Sequence, residues 1–424
     1  MKSIEINENI KLDYINMTKL KTTSVGVYIH TPLDEKTASY NALLALVLKS
    51  ASREYPSMEA IAESLDDLYG ATMGASVLKM GEDHIIYFDA ETISDKYAPN
   101  GEELLSGLLK LLMSVIFDPK LDGDGFDAEI VEKERKNAID RIDAFINEKR
   151  QYASSRCQAE TARGTDFAIM RFGNRDIISK ITPKELYDYY KSIINSSVID
   201  IYVCGDADID TAVNSVREYT NSIDFKKGKI RKTEIINRDV SKVNNVTEEM
   251  KVAQGKLAMG YLTNIKPTDD DYYALVVFNS VFGAGAHSKL FNNVREKLSL
   301  AYYASSQIEK YKGILIVNAG IEFPNFEKAR DEVMLQLEEI KKGNITDHEF
   351  SSSISAIVNT CNSYYDDQRA LASFYLSEEL MGTRRSLESY IENIKKVTPQ
   401  EVSEVAKKLQ LDTVYFLKGE EENA

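Results

Sequence analysis

A chain of 424 residues with a formal net charge of -15, carrying 52 Lys and Arg against 67 Asp and Glu, is too acidic for a nucleic acid partner, because such binding rests on cations that neutralise phosphates. Its length exceeds the roughly 250 to 300 residues at which one hydrophobic core stops growing, so two domains of about 200 residues are expected. Hydrophobic residues at 43% and charged residues at 28% describe a globular protein, and the acidic surface favours encounter with cationic peptides without defining a site.

The opening residues 1–17, MKSIEINENIKLDYINM, alternate charged with apolar side chains and lack the apolar core of a signal peptide. No stretch of about 18 apolar residues follows, so the expectation is a soluble, cytoplasmic protein with no membrane partner. Cys157, Cys204 and Cys361 are far apart and show no CxxC spacing, which predicts buried thiols rather than a disulfide framework or a thiolate zinc site.

In chain order, residues 24–31 (SVGVYIHT) read as a strand and 37–51 (TASYNALLALVLKSA) as an apolar helix; 71–80 and 83–91 form a hairpin around Gly81. A helix follows at 102–116 (EELLSGLLKLLMSVI). Residues 181–206 then run from helix to strand: Thr182 caps the helix, Pro183 suits its first position, Glu185 completes a capping box, and Gly205 closes the strand. The polar, charged stretch 223–248 reads as an inter-domain linker. Its basic run, Lys226, Lys227, Lys229, Arg231 and Lys232, is a solvated connector rather than an RNA contact.

The second half repeats this order with a strand at 256–263, an apolar helix at 270–283 and an amphipathic helix at 326–340. Residues 397–420 repeat the helix-to-strand unit with Thr398, Pro399, Glu401 and Gly419. The predicted fold class is therefore α+β, with two homologous halves, 1–222 and 249–424, each a mainly antiparallel sheet with helices packed on one face.

The stretch 281–306, VFGAGAHSKLFNNVREKLSLAYYASS, has a small-residue loop, a helix ending in Arg-Glu-Lys, and Leu-Ala-Tyr entering a strand. It resembles the C-terminal-half signature of the insulinase-like M16 peptidases. Residues 51–76 (ASREYPSMEAIAESLDDLYGATMGAS) and 131–142 (VEKERKNAIDRI) resemble first-half segments of the same family, so the likeness covers nearly the whole chain. Within the family, the chain is similar to a subgroup associated with aminopentanol modification of elongation factor P.

Active M16 members hold zinc through HxxEH on the first-half helix and a Glu on a later helix. Two imidazoles one turn apart share a face, a Glu beside the second takes a proton from metal-bound water, and a further carboxylate completes the ligands. Against that pattern the resemblance sets Asn41, Ala42, Leu43, Leu44 and Ala45 at the HxxEH positions and Arg141 at the distal Glu, with Asp140 the nearest carboxylate. The implied reading is no metal and no cofactor in this chain. Of its four histidines, His30, His84, His287 and His348, no pair is spaced for a shared helix face; His84 is expected in a solvated hairpin turn and His348 on the surface.

In the same family an Arg, and a Tyr seven residues later, reach the substrate from the second half. Arg295 and Tyr302 match both residue types and the spacing, and a guanidinium with a phenol suits a peptide carbonyl or a developing oxyanion. The loop at Gly283 and Gly285, with His287 beside it, precedes a helix and is a further candidate for substrate contact. Its plainer role is punctuation.

The resemblance therefore implies a non-catalytic, substrate-contacting subunit. Its expected partners are an HxxEH-bearing M16 chain that supplies the zinc and a peptide bound by addition to a sheet edge. A homodimer of the isolated chain stays open. Two other readings are a self-sufficient metallopeptidase with unorthodox ligands and a structural member of the fold without proteolysis.

Overall fold

A computed structural model of the protein describes residues 1–420. The chain forms two compact units, and neither is contiguous. The first comprises Met1–Asp143, Ile169–Lys232 and Tyr364–Ser377; the second comprises Ala144–Ala168, Thr233–Ser363 and the chain from Glu378 on. Each unit thus takes one segment from the stretch that the sequence repeat gives to the other.

In the first unit the strands are β1 (Lys2–Glu5), β2 (Ile10–Asn16), β3 (Thr22–Pro32), β4 (Thr72–Met80) and β5 (Asp83–Ile93). A short hairpin of β6 (Leu121–Asp122) and β7 (Gly125–Phe126) follows, and then β8 (Ile199–Gly205). Six of them pair in the order β1-β2-β8-β3-β5-β4, antiparallel everywhere except between β2 and β8. The second unit holds β9 (Asn244–Met250), β10 (Gly255–Leu262), β11 (Ala301–Glu309), β12 (Ile314–Ile321) and β13 (Gln410–Gly419). Their order is β11-β12-β10-β13-β9, with β13 and β9 the parallel pair.

The two sheets are the same sheet twice. β4, β5, β3, β8 and β2 correspond in order and in pairing sense to β11, β12, β10, β13 and β9. The helix leading into each parallel-paired strand, Pro183–Ser196 or Pro399–Lys408, starts with a formed capping box, Thr182 with Glu185 and Thr398 with Glu401. Two orphan N–H groups are satisfied at each start. The end of the stretch read as a linker is β9, an edge strand whose side chains alternate between half-buried and exposed.

Helices cover one face of the second sheet. Leu257, Met259 and Tyr261 of β10 join helices Tyr272–Phe282, Phe326–Lys341 and Pro399–Lys408 in one buried cluster. The residues between them point the other way, because side chains alternate along a strand. At Gly260 a Cβ atom would lie 2.0 Å from Thr161 Oγ1, so helix Lys149–Thr161 covers the opposite face at a distance only glycine permits. The first unit gains its segment from residues 364–377 through Gln368 Nε2, which donates to the Thr22 carbonyl at 2.6 Å, and Arg369, which pairs with Asp89 at 3.0 Å. Among the described residues the three thiols are free and buried, and no helix is long and apolar enough to cross a membrane.

Candidate functional site

Helix Glu35–Ser50 is buried on nearly every side, including all five positions from Asn41 to Ala45. Asn41, which the resemblance sets at the first imidazole position, is fully engaged. Its amide nitrogen donates to Thr31 Oγ1 at 2.7 Å and to His84 Nδ1 at 2.9 Å, and its carbonyl accepts from the Tyr189 hydroxyl at 2.8 Å. His84 then donates from Nε2 to the Arg171 carbonyl at 2.7 Å. With both ring nitrogens committed in this way, His84 is a neutral imidazole, and burial pushes its pKa down to about 4. The expectation of a solvated hairpin turn for His84 is therefore corrected. The turn is confined to Gly81 and Glu82, and His84 already belongs to β5, opposite Thr31 of β3.

Replacing Asn41 by Ala would strand buried partners on three elements at once. Each orphaned group costs about 1 to 3 kcal/mol, and thermal unfolding of the variant should show a loss of at least that size. An unchanged melting temperature would mean that the network contributes no net stability.

Ala42, Ala45 and Arg141 of the set line a small cavity of about 10 Å³, together with Ser76, Val77, Ala138 and Phe172. Ala45 and Arg141, assigned to the second imidazole and the distal carboxylate, thus meet at one place. Leu44 is wholly buried and outside the lining, and Asp140 is exposed and also outside it. Methyl groups and a guanidinium donate no electron pair to a cation, and Arg141 repels one. Zinc does not fit these residues. Among the described residues, no group of three or more His, Cys, Asp or Glu side chains is arranged to hold a metal ion.

A second polar centre, given no role in the sequence reading, lies in the first sheet. His30 of β3 is completely buried, with Nδ1 3.2 Å from Asp83 Oδ2 and Nε2 3.0 Å from Asp200 Oδ2. Asp83 stands opposite Pro32 on β5 and Asp200 opposite Tyr28 on β8, which makes both of them diagonal neighbours of His30 on the same face. Lys11 approaches Asp13 at 3.1 Å and Asp200 at 3.5 Å, and Arg231 approaches Asp83 at 3.3 Å. Burial alone would depress the imidazole, but its bonds to Asp200 and Asp83 outweigh burial and push the pKa up to about 9. Burial likewise acts to raise the Asp200 carboxyl, and His30 and Lys11 hold it below the usual range. The polar residues His30 and Asp200 inside SVGVYIHT and IDIYVCG were the visible signal for this cluster.

In the second unit Arg295 lies on a π-helix, Leu290–Lys297, a coil with one extra residue per turn and a common mark of functional sites. Its guanidinium lies 4.7 Å from the Phe291 ring centroid and 3.4 Å from Glu296. Tyr302 falls where the register of β11 against β12 shifts, between Ala301 and Tyr303, and a bulge re-aims a side chain. The ring is 54% exposed, and its hydroxyl donates to Glu322 Oε1 at 3.3 Å. No hydrogen bond joins Arg295 to Tyr302 among the described residues, and the groups holding them are weak surface partners.

The loop before this π-helix is fixed at one end and exposed in the middle. The Ser306 amide donates to the Gly283 carbonyl at 3.1 Å, and Ala284, Gly285 and Ala286 are exposed. Gly285 adopts φ +153°, which L side chains rarely enter. His287 folds back onto the loop: its ring lies against Gly285, and its Nε2 is 3.1 Å from Ser280 Oγ. Burial lowers its pKa. His348 is exposed, 3.5 Å from Ser352 Oγ.

Residues 180–357 match the family model described as "Peptidase M16 inactive domain". The chain is 35% identical to the Bacillus subtilis protein named "Probable inactive metalloprotease YmfF", over 96% of this chain and 95% of that one. A crystal structure of a conserved protein from Enterococcus faecalis superposes with a TM-score of 0.90 at 31% identity, covering 100% of this chain and 99% of the other. The structure titled as the peptidase M16 inactive domain from Pseudomonas fluorescens matches with a TM-score of 0.77 at 17% identity, over 99% of this chain and 98% of that one. With a doubled sheet, a matching model over most of the second repeat and a relative 35% identical along almost its full length, the chain belongs to the M16 peptidase family.

Proposed function

We propose that this chain is the non-catalytic, substrate-contacting subunit of a two-chain M16 peptidase, whose partner carries HxxEH and zinc and whose joint activity is peptide-bond hydrolysis in an enclosed chamber. One observation carries the reading. The entire hydrolytic set is replaced by Asn41, Leu44, Ala45 and Arg141, while Arg295 and Tyr302 remain on a π-helix and at a bulge, exposed and only weakly paired. Drift at a discarded site alone would have no reason to spare the pair. The description of its relative as a probable inactive metalloprotease supports the non-catalytic part of this reading.

The test is co-expression with an HxxEH-bearing M16 chain encoded in the same genome. The purified single chain is expected to hold less than about 0.1 equivalent of zinc and to leave a fluorogenic peptide library uncut, whereas the copurified pair is expected to cleave it and to lose activity to a chelator. Stoichiometric zinc in the single chain, together with chelator-sensitive cleavage, would favour a self-sufficient metallopeptidase and end this reading.

A further inference from the structure

The coil that carries Arg295 holds two conformations that its sequence does not favour locally. Leu290–Lys297 winds as a π-helix, closed where the Leu298 amide reaches back to the Asn293 carbonyl at 3.1 Å. The chain then leaves through Ser299 at φ +51°, the left-handed region that a residue with a Cβ avoids. Features of this kind persist only where the surrounding structure over-determines them, and they concentrate at functional sites. Something must therefore hold the coil in place.

Two polar anchors do so. Lys289, the residue immediately before the coil, is only 7% exposed, a rare state for a lysine unless it is paired. Its ammonium donates to both oxygens of Glu349, at 3.0 and 3.1 Å. Glu349 is itself fixed, because it closes a capping box at the start of helix Asp347–Ser363: its carboxylate accepts from the Thr346 amide at 2.8 Å, and its own amide donates to the Thr346 hydroxyl at 3.2 Å. The second anchor is Asn293, which donates to Gln336 Oε1 at 2.7 Å; Gln336 is buried on helix Phe326–Lys341. Leu290 and Val294 are wholly buried beside these anchors, whereas Arg295, Glu296 and Lys297 are exposed. The coil is thus fastened to two helices and presents Arg295 outward.

We propose that Lys289 is a positioning residue for Arg295. Its bond to Glu349 sets where the π-helix begins, and with it the reach of the Arg295 guanidinium toward a substrate carbonyl. The inference rests on the substrate-contacting role proposed above for Arg295. A displacement of about 1 Å can cost on the order of 100-fold in rate, so an anchor that touches no substrate can govern turnover.

The test uses the copurified pair and the single chain. In the pair, Lys289→Gln is expected to lower kcat at least about tenfold with KM little changed, the signature of a transition-state donor held out of place. In an Arg295→Ala background the same substitution is expected to change kcat by less than about twofold, because residues that act through one another are not additive. Lys342→Gln, which removes an exposed charge from the same unit, should leave turnover as it was. Lys289→Met combined with Glu349→Gln strands no charge and keeps an acceptor for Thr346, so it carries the same kinetic comparison if Lys289→Gln does not fold. In the single chain, hydrogen exchange should show at least about tenfold less protection over residues 290–297 of the variant, with β12 unchanged. Unchanged protection over 290–297, wild-type turnover in Lys289→Gln, or losses that multiply with Arg295→Ala would each overturn this inference and leave the two-chain reading standing. A pair that is indifferent to Arg295→Ala would overturn the substrate-contacting reading, and this inference with it.

Discussion

Replacing His30 by Gln is expected to lower the opening free energy of the first sheet by about 3 to 5 kcal/mol, the usual cost of removing one partner from a buried ion cluster. The reason is the bookkeeping of charge. His30, Lys11 and Arg231 face Asp13, Asp83 and Asp200 on four strands and one irregular stretch, and a neutral side chain leaves an uncompensated carboxylate inside the sheet. Because a two-unit chain need not unfold in one step, the measurement is hydrogen exchange at the amides of β3 and β8, expected to accelerate by about two to four orders of magnitude, the size that energy implies. The wild-type pH dependence follows from the same geometry. A histidine raised from 6.5 to about 9 contributes its full stabilisation below pH 6.5 and loses it as pH rises through about 9, amounting to about 3 kcal/mol. Protection of the β3 amides, taken relative to the base-catalysed intrinsic exchange rate at each pH, should therefore fall across that window in the wild type. In His30→Gln that protection should be flat there, and a flat wild-type protection profile would mean that the imidazole is not charged.

The second large effect concerns turnover. In the copurified pair, Arg295→Ala is expected to reduce kcat/KM on the order of 100-fold, as loss of one preorganised oxyanion donor does, and Tyr302→Phe about tenfold, the value of a single neutral hydrogen bond. Neither change should unfold the chain. The Arg295 side chain is 42% exposed and paired only with Glu296 at 3.4 Å, and such surface contacts are worth about 0 to 1 kcal/mol. Gel filtration separates the two explanations of a loss, because the complex should survive both substitutions. An intact complex with wild-type turnover would instead assign the chain a scaffolding role.

What was legible in the sequence was whatever local chemistry writes down. The capping boxes at Thr182 and Thr398 need only four consecutive residues, and they exposed the repeat that the matching strand orders then displayed. Ala45 and Arg141 were named together through a resemblance to a family pattern, and both line one cavity. His84 was not legible, because its burial depends on Asn41, Thr31 and a carbonyl at Arg171, contributed by three separate stretches of chain. The bulge at Tyr302 was invisible for a similar reason, since it exists only in the register against β12. Residues 149–161 fall inside the predicted first half, 1–222, and only the close approach of Thr161 to Gly260 shows which sheet this helix serves.

That borrowing of segments has a consequence for biosynthesis. The first unit includes Tyr364–Ser377, so a nascent chain holding only the first repeat lacks part of its own wall until synthesis has passed residue 377. Completion of one unit is tied in time to translation of the other, and a gene split at the connector would yield two fragments, each missing a piece encoded in its neighbour.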